Sequence, residues 1–400
     1  MKKILILCSY FDGQSTGSLR MRALSESFLR SGHEVRVFTN YFAGSEQLDY
    51  VYAPQDKAIA VGRRSAVLAT VYRAYRKLKL YSLGIKHHSF YKSFLGADAA
   101  SYGLDNLDAV VVSVPQPEFV DIGIALSKRY GCPMVVDFRD GLTFEPLGRI
   151  NWLIRYFNYR LESRAVVNSQ AVVSVSDTLT DYFKARYPGN SQFVTITNGF
   201  QAPEQEGPKE SVNNGTGVFD SDSDSINILY SGAIERSRLS IFQSLEAFER
   251  AINLLDDDSR NHLNILFIGN YSDREIAKIQ IFGTVLPQVS RDEIAIAQAQ
   301  ADYLLLFTGP DQSVVTIKLF DYLVARKPII SVGNAPTPAR ILEESGAGVQ
   351  YRLSEISDIA VCLSSLQNRQ KRLDTDIDEY RVDQLMDRFT QLVLESMGNG

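Results

Sequence analysis

Residues 316–330, TIKLFDYLVARKPII, combine a helical pattern with an apolar strand that follows it directly. Leu319 and Leu323 lie at helical spacing and can face a core. Lys318 and Asp321 lie one turn apart, so both side chains can point toward the same ligand. A helix that leads straight into a buried strand is typical of an α/β domain.

The start of this helix, near Ser313 and Thr316, adds a second feature suited to a ligand. The first turn of a helix has free backbone N–H groups and carries the positive end of the helix dipole, and both favour a diphosphate. We therefore predict that Thr316, Lys318 and Asp321 contact a nucleotide, with the lysine on phosphate and the aspartate on ribose. An ordinary amphipathic helix with a surface Lys-Asp pair is the alternative, and this segment alone does not decide between them.

The composition indicates a globular chain of two domains. Four hundred residues exceed what one hydrophobic core usually organises. Charged residues at 22% and hydrophobic residues at 45% are typical of folded domains. The net charge of -5 gives the chain no overall attraction to nucleic acid or anionic lipid, so any such affinity has to be local.

Cysteine and histidine usage argues against a metal site. The three cysteines, Cys8, Cys132 and Cys362, are scattered without metal-like spacing, as expected of a reduced cytosolic protein. Because only four histidines occur, a histidine-rich metal site is not expected, and neither is a cofactor. The apolar run Ile4 to Cys8 is too short for a signal sequence. No segment approaches the roughly 20 apolar residues needed to cross a bilayer, so a cytoplasmic protein is predicted.

Short β-branched runs alternate with helical patterns, which is typical of parallel sheets covered by helices on both faces. The composition changes at residues 201–225, which are rich in polar residues and cannot bury enough apolar area to pack. We predict a first domain at 1–200, a flexible linker at 201–225, a second domain at 226–375 and a helix within 376–400. The predicted strands are 4–7, 35–38, 109–114, 134–136, 171–175 and 193–196, followed by 226–230, 264–268, 303–307 and 328–332.

Several short motifs, by their order and spacing, resemble the family-four glycosyltransferases of the GT-B fold. The first strand is followed by the loop Gly13 to Gly17 and then by Arg20. The other segments that carry the resemblance are Val135 to Asp140, Val172 to Ser176, Ile196 to Phe200, Ser231 to Arg238 and Val289 to Ile294.

This resemblance implies two Rossmann-like parallel-sheet domains that face each other across a cleft, with the C-terminal helix bracing the first domain. It also implies a retaining, metal-independent glycosyltransferase whose donor is a nucleotide sugar. UDP-linked donors are more usual in this family than GDP-linked donors, so a UDP-linked donor is expected. The acceptor would enter from the first domain and would be lipid-linked or a glycan, as in the synthesis of cell-surface polysaccharide.

The loop that opens the second domain supplies cations in this family. The resemblance implies an arginine just after the loop glycine and a second cation later in the loop. This chain has Ala233 at the first position and Arg238 at the second, and Arg236 is the available substitute for the missing charge. Together with Lys318, these cations would stabilise the diphosphate as the sugar–oxygen bond breaks. Two surface arginines on a loop are the alternative interpretation.

The family also uses two glutamates, one for the donor sugar and one for ribose, and the chain departs at both positions. Ser313 stands at the first position and Asp321 at the second. Asp321 keeps a carboxylate for ribose, whereas Ser313 can only hydrogen-bond a sugar hydroxyl, with Asp311 as a nearby substitute. These departures leave the sugar specificity open. They also leave open whether the activity is weakened or lost.

Candidate residues of the first domain follow its strands. Gly17 ends a loop that can approach a phosphate, but the loop lacks the G-x-G-x-x-G pattern, so a dehydrogenase is not favoured. Asp140 could orient an acceptor hydroxyl or take its proton. Asp137 and Glu145 are the other carboxylates of this region. An ion pair with Arg139 or another arginine is the equal alternative for Asp140.

Three further segments have both a structural and a functional interpretation. Asp220, Asp222 and Asp224 have metal-binding spacing, but they lie in a Ser-Asp repeat, so a solvated linker is preferred. Residues 63–92 contain no acidic residue and interleave cations with aromatic rings, and residues 152–164 have a similar character. Such stretches can lie on an anionic membrane surface, which would place the protein peripherally on its inner face. A solvated helix face is the alternative, and no nucleic-acid-binding motif accompanies them.

Two other functions remain open from the sequence. A nucleotide-sugar epimerase would share the double-Rossmann architecture, but the absence of histidine between His88 and His262 weakens it. A non-catalytic family member that binds a glycan or a partner transferase is suggested by Ala233 and Ser313.

Overall fold

The computed structural model describes most of the chain and divides it into two compact units. Unit one comprises residues 1–175, 179–198 and 382–400, and unit two comprises 176–178 and 199–381. The described residues are 1–11, 16–41, 51–52, 103–115, 117–144, 152–189, 192–201, 218–219, 224–234, 241–309, 315–367, 373 and 377–398. Most of the predicted linker therefore lies outside the described residues.

Unit one contains a parallel sheet with helices in the connections. Its strands are β1 Lys3–Tyr10, β2 Glu34–Tyr41, β3 Val51–Tyr52, β4 Ala109–Val114, β5 Met134–Phe138, β6 Ala171–Ser174 and β7 Gln192–Thr195. The helices between them are α1 Thr16–Arg30, α2 Pro117–Tyr130, α3 Trp152–Val167 and α4 Asp177–Arg186. The strand order is β3-β2-β1-β4-β5-β6-β7, and β4 is buried along its whole length because both sheet faces are covered.

Unit two repeats this architecture. Its strands are β8 Ile226–Ser231, β9 Leu263–Ile268, β10 Thr284–Leu286, β11 Tyr303–Phe307, β12 Ile329–Val332 and β13 Gly348–Tyr351, in the order β10-β9-β8-β11-β12-β13. Its helices are α5 Phe242–Ile252, α6 Asp257–Asn261, α7 Asp273–Ile279, α8 Arg291–Gln300, α9 Ile317–Ala325, α10 Pro336–Ser345 and α11 Ile356–Ser364. A short 3-10 helix, Asp378–Tyr380, precedes the final helix α12, Val382–Gly398.

The predicted fold class is confirmed, because the strand pairs of both sheets are parallel and helices connect the strands. The ten predicted strands all occur. Sequence reasoning missed β3, β10 and β13, each of which lies at the edge of its sheet. Strands β10 and β13 are short and only partly buried, so their apolar pattern is weak.

Helix α12 packs on α1 in the core of unit one. Met386, Phe389 and Val393 are fully buried in that core. At the rim, Asp387 accepts hydrogen bonds from the Ser27 hydroxyl at 2.6 Å and from the Arg30 guanidinium at 2.8 Å. Among the described residues, no helix is long and apolar enough to cross a membrane.

Each sheet has a position where the strand order reverses. In unit two, β8 lies between β9 and β11, so the chain leaves β8 in one direction and returns on its other side. In unit one, β1 takes the equivalent place between β2 and β4. Ligands of open α/β sheets bind outside the carboxyl ends of the strands at such positions. The carboxyl ends of β8 and β11 are therefore the place to look for a site in unit two.

Candidate functional site

The chain turns sharply at the end of β8, and Gly232 makes the turn. Its φ angle is 108°, a backbone conformation that residues with a side chain rarely adopt. A Cβ atom added there would lie 3.0 Å from both Cε and Nζ of Lys318. Glycine at this position therefore lets the lysine lie directly against the backbone of the turn.

Lys318, in the first turn of α9, places its ammonium over an aromatic ring. Its Nζ lies 3.9 Å from the centre of the Tyr230 ring, which is a cation–π contact. The residue keeps some exposure to solvent, but its charged end is enclosed by protein. Burial lowers the pKa of Lys318 to about 7, and the negative charge of Asp321 acts in the opposite direction. A bound anion would favour the protonated form and raise this pKa.

The N-terminus of α9 is not capped by a described side chain. Thr316 occupies the N-cap position without making a side-chain hydrogen bond, and the first turn carries no acidic residue. By contrast, α7 and α8 each begin with a serine and a glutamate that form a capping box, Ser272 with Glu275 and Ser290 with Glu293. The first backbone N–H groups of α9 can therefore donate to an anion next to Lys318.

Polar side chains tie α9 and α8 to the end of β8. The Tyr322 hydroxyl accepts a hydrogen bond from the Ser231 backbone N–H at 3.0 Å and lies 3.2 Å from the Ser231 hydroxyl. The Gln298 side-chain amide donates a hydrogen bond to the Ser231 hydroxyl at 3.5 Å. Beneath them, the Tyr230 hydroxyl donates to the Ala233 carbonyl oxygen at 3.1 Å. The turn that faces Lys318 is thus held by three elements.

The Tyr271 hydroxyl lies near the same turn. A Cβ atom added at Gly269 would lie 2.8 Å from the Gly232 carbonyl oxygen and 2.9 Å from the Tyr271 hydroxyl, so both groups lie close together. The hydroxyl is buried and has no hydrogen-bond partner among the described residues. Leaving such a group unpaired costs free energy, and a ligand or a water molecule could satisfy it.

The structure brings together part of the predicted site in unit two. Thr316 is the N-cap of α9, Lys318 and Asp321 lie in its first two turns, and Asp321 is exposed. Ala233 directly follows Gly232, so no charged side chain occupies that position. Arg236, Arg238, Asp311 and Ser313 lie outside the described residues.

Sequence reasoning missed the rings of this site. These rings belong to Tyr230, Tyr271 and Tyr322, which lie far apart in the sequence. The local sequence pattern predicts each of them as a residue of the apolar core. The available signal was the position of Tyr230, the last residue of a predicted strand, where α/β ligands bind.

In unit one, the two neighbouring aspartates at the end of β5 have different environments. Asp137 is fully buried and accepts hydrogen bonds from Arg20, with Nε at 3.2 Å from both carboxylate oxygens and Nη2 at 2.9 Å from Oδ1. Arg20 also donates to the Thr197 carbonyl oxygen at 2.6 Å. Asp140 is partly exposed beyond the end of β5, and Gly17 lies in the first turn of α1. Asp137 is therefore a packing residue, and Asp140 remains the candidate for chemistry.

A buried carboxylate holds the segment that follows Asp140. Glu162 on α3 accepts hydrogen bonds from Thr143 at 2.7 Å, from Tyr182 at 2.8 Å and from Tyr187 at 3.1 Å. Burial is the main reason that the pKa of Tyr182 is raised to about 12, so its hydroxyl stays protonated and keeps donating. The first of these bonds holds the Thr143 side chain, three residues beyond Asp140. Glu145, further along, lies outside the described residues.

Metal ligands do not gather in the part of the chain that the structure describes, where no group of three or more histidine, cysteine, aspartate or glutamate residues is suitably placed. Of the Ser-Asp repeat, only Asp224 is described, while Asp220 and Asp222 are not. The repeat therefore stays a predicted linker.

Comparison with known proteins adds family information for unit one. Residues 16–199 match the family model described as a glycosyl transferase 4-like domain. No curated protein matches the chain in sequence.

Solved structures resemble the chain over almost its whole length. The N-terminal domain of trehalose-6-phosphate phosphatase from Candida albicans is 12% identical with a TM-score of 0.63, covering 99% of this chain and 97% of that one. An α,α-trehalose-phosphate synthase (UDP-forming) from Burkholderia vietnamiensis is 10% identical with a TM-score of 0.61, covering 100% of both. WaaG, a glycosyltransferase involved in lipopolysaccharide biosynthesis, is 14% identical with a TM-score of 0.52, covering 99% of both. At such identities the likeness establishes the fold, two Rossmann-like domains of the GT-B type.

Proposed function

We propose, on the premise that this chain belongs to the family-four glycosyltransferases of the GT-B fold, that it transfers a sugar from a nucleoside-diphosphate donor. The observation that carries this proposal is the Lys318 ammonium at the strand reversal of the second sheet, which lies at the start of α9, where no described side chain caps the helix. Its pKa of about 7 makes it respond strongly to an anion. The proposed donor site is therefore the turn at Gly232 together with the first turn of α9.

The diphosphate would be held by Lys318 and by the first backbone N–H groups of α9. As the bond between sugar and diphosphate breaks, negative charge grows on the leaving group, and these fixed donors would stabilise it without a metal ion. Asp321 would bind the ribose, and Ser313 would contact the moving sugar. Arg236 and Arg238 are the proposed additional phosphate contacts. A UDP-linked donor is supported by the relative named a UDP-forming synthase.

The acceptor is proposed to approach unit one, where Asp140 would take the proton from its hydroxyl. The hydrogen bond from Thr143 to Glu162, three residues beyond Asp140, supports this role, because a catalytic group must be fixed in position. We propose a lipid-linked or glycan acceptor of cell-surface polysaccharide synthesis, with retention of anomeric configuration. The structural relative involved in lipopolysaccharide biosynthesis supports this acceptor class.

The experiment that tests the function is turnover of a panel of nucleotide sugars with polyprenyl-linked or membrane-extracted acceptors. One donor is expected to exceed the others in transfer or in slow hydrolysis, and a chelator should leave the rate unchanged. Lys318→Ala should lower kcat/KM for that donor by about tenfold or more, since a charge-assisted contact contributes roughly 1.5–3 kcal/mol. Asp140→Asn should lower turnover while sparing UDP affinity. A panel without any turnover would contradict the transferase proposal.

A non-catalytic, glycan-binding or partner-binding protein is the second candidate. Ala233 favours it, because the position after the turn glycine carries no charge for the diphosphate. The same panel separates the two candidates. Robust nucleotide binding without turnover of any donor, and without a response to Ser313→Ala, would favour the binder.

A further inference from the structure

Helix α3 has apolar residues on both of its faces. Its inner face packs in the core through Leu161 and Val166. On the outer face, Trp152 is 80% exposed, Tyr156 48% and Tyr159 38%. A surface helix is ordinarily apolar only toward the core, so these rings need another explanation. They are also concentrated, because three of the four exposed aromatic side chains that the structure describes lie on this helix, Tyr10 being the fourth.

Arginines surround these rings. Arg155 and Arg160 are exposed on the same helix. The Arg160 guanidinium lies 5.9 Å from the centre of the Tyr156 ring, and the Arg186 guanidinium of α4 lies 4.7 Å from the centre of the Tyr159 ring.

The charge of this outer face is not neutralised within the described part of the chain. Arg155, Arg160 and Arg186 form no ion pair with a described carboxylate, whereas Arg164, one turn further, is paired with Asp121. The single acidic residue of α3, Glu162, is fully buried. The outer face therefore presents positive charge and aromatic rings without an exposed acidic side chain of its own helix.

We propose that the α3 face, formed by Trp152, Arg155, Tyr156, Tyr159 and Arg160, docks on a membrane surface that contains anionic lipid. Indole and phenol rings combine an apolar body with a polar edge and settle at headgroup depth. Guanidinium groups bind lipid phosphates with paired hydrogen bonds. The charge complementarity is local, since the whole chain has a net charge of -5 and is repelled by such a surface elsewhere.

The position of this face agrees with a lipid-linked acceptor. Helix α3 follows β5, so its first turns lie near the carboxyl edge of the sheet, the same edge from which Asp140 extends. Its inner side carries Asn158, whose amide donates to the Leu142 carbonyl oxygen at 3.0 Å. One helix would thus contact the membrane and the segment after Asp140. The docking itself does not depend on sugar transfer and would also occur in a non-catalytic protein.

The chain contains a built-in probe, because Trp152 is its only tryptophan. We expect Trp152 emission to shift to shorter wavelength with vesicles of phosphatidylcholine and phosphatidylglycerol, but not with phosphatidylcholine alone. The protein should sediment with the anionic vesicles, and added salt should release it. Arg155→Gln/Arg160→Gln should lower the vesicle affinity about 30-fold, since each arginine near an anionic surface contributes roughly a fivefold factor.

The matched control is Lys128→Gln/Arg129→Gln, which makes the same charge change on exposed residues at the C-terminal end of α2. It should bind vesicles as the unaltered chain does, and circular dichroism should show both variants folded. Vesicle binding with unchanged Trp152 emission would assign the contact to another segment and overturn the proposal. Equal binding of both double variants, or binding to an anionic polymer such as RNA without binding to vesicles, would also overturn it. These measurements use no nucleotide-sugar donor, so their outcome does not depend on whether the protein transfers a sugar.

Discussion

At the residue scale, Lys318 shows how its surroundings change the chemistry of a common side chain. The sequence places a lysine and an aspartate one turn apart, and this pair was predicted. The sequence does not reveal that the ammonium lies on the Tyr230 ring beside Gly232. That enclosure, rather than the nearby Asp321, dominates the pKa of Lys318 and lowers it.

The pKa of Lys318 predicts how nucleotide affinity depends on pH. In the ligand-free protein the group titrates at about 7, and a bound diphosphate raises its pKa, so binding takes up a proton above neutral pH. UDP affinity should therefore fall as pH rises from about 7 to about 9, by up to tenfold per unit. Calorimetry in buffers of different ionisation enthalpy measures both the affinity and the proton uptake.

Lys318→Arg is the control for this titration, because a guanidinium stays protonated throughout the range. Its UDP affinity should depend much less on pH. A flat profile in the unaltered chain, or the same slope in Lys318→Arg, would mean that Lys318 is not the group that meets the phosphates.

At the element scale, α12 could be predicted as a helix from its apolar periodicity, but its role depends on its contacts. Its ring at Phe389 is fully buried in unit one, and the Arg20 guanidinium lies 5.7 Å from the ring centre. Arg20 in turn binds Asp137, which lies 117 positions further along the chain. Helix α12 therefore completes the shell around a buried ion pair, and no local pattern in the sequence indicates this.

Phe389→Ala tests the contribution of α12 to unit one. Removing a fully buried phenylalanine side chain should lower the free energy of unfolding of unit one by about 3–5 kcal/mol. Hydrogen exchange followed by mass spectrometry can report β1 and β4 separately from the strands of unit two. Exposed Arg388 is the matched control, and Arg388→Ala should change stability by no more than about 0.5 kcal/mol. Unchanged protection of β1 and β4 in Phe389→Ala would show that α12 is dispensable for the core.

At the scale of the whole molecule, the sequence was sufficient for the fold class, because the fold class depends on local patterns. Central parallel strands such as β4 are continuous apolar runs, and such runs are visible in the sequence. The candidate site was predictable only where its residues share one helix, as Lys318 and Asp321 do. Tyr230 and Tyr271 come to the site from other elements, and only the sheet order brings them there. Asp137 and Asp140 look alike in the sequence, and burial separates them.

The central claim is that Lys318 binds the diphosphate of a nucleotide donor, and titration calorimetry with UDP tests it most directly. Lys318→Ala should weaken UDP binding by about tenfold or more, since it removes a charge-assisted contact. Lys327→Ala is the matched control, because this partly buried lysine lies beyond the C-terminal end of α9, just before β12 and away from the proposed site. We expect an unchanged UDP affinity for Lys327→Ala and a clear loss for Lys318→Ala, whereas equal affinity of Lys318→Ala and the unaltered chain would contradict the claim.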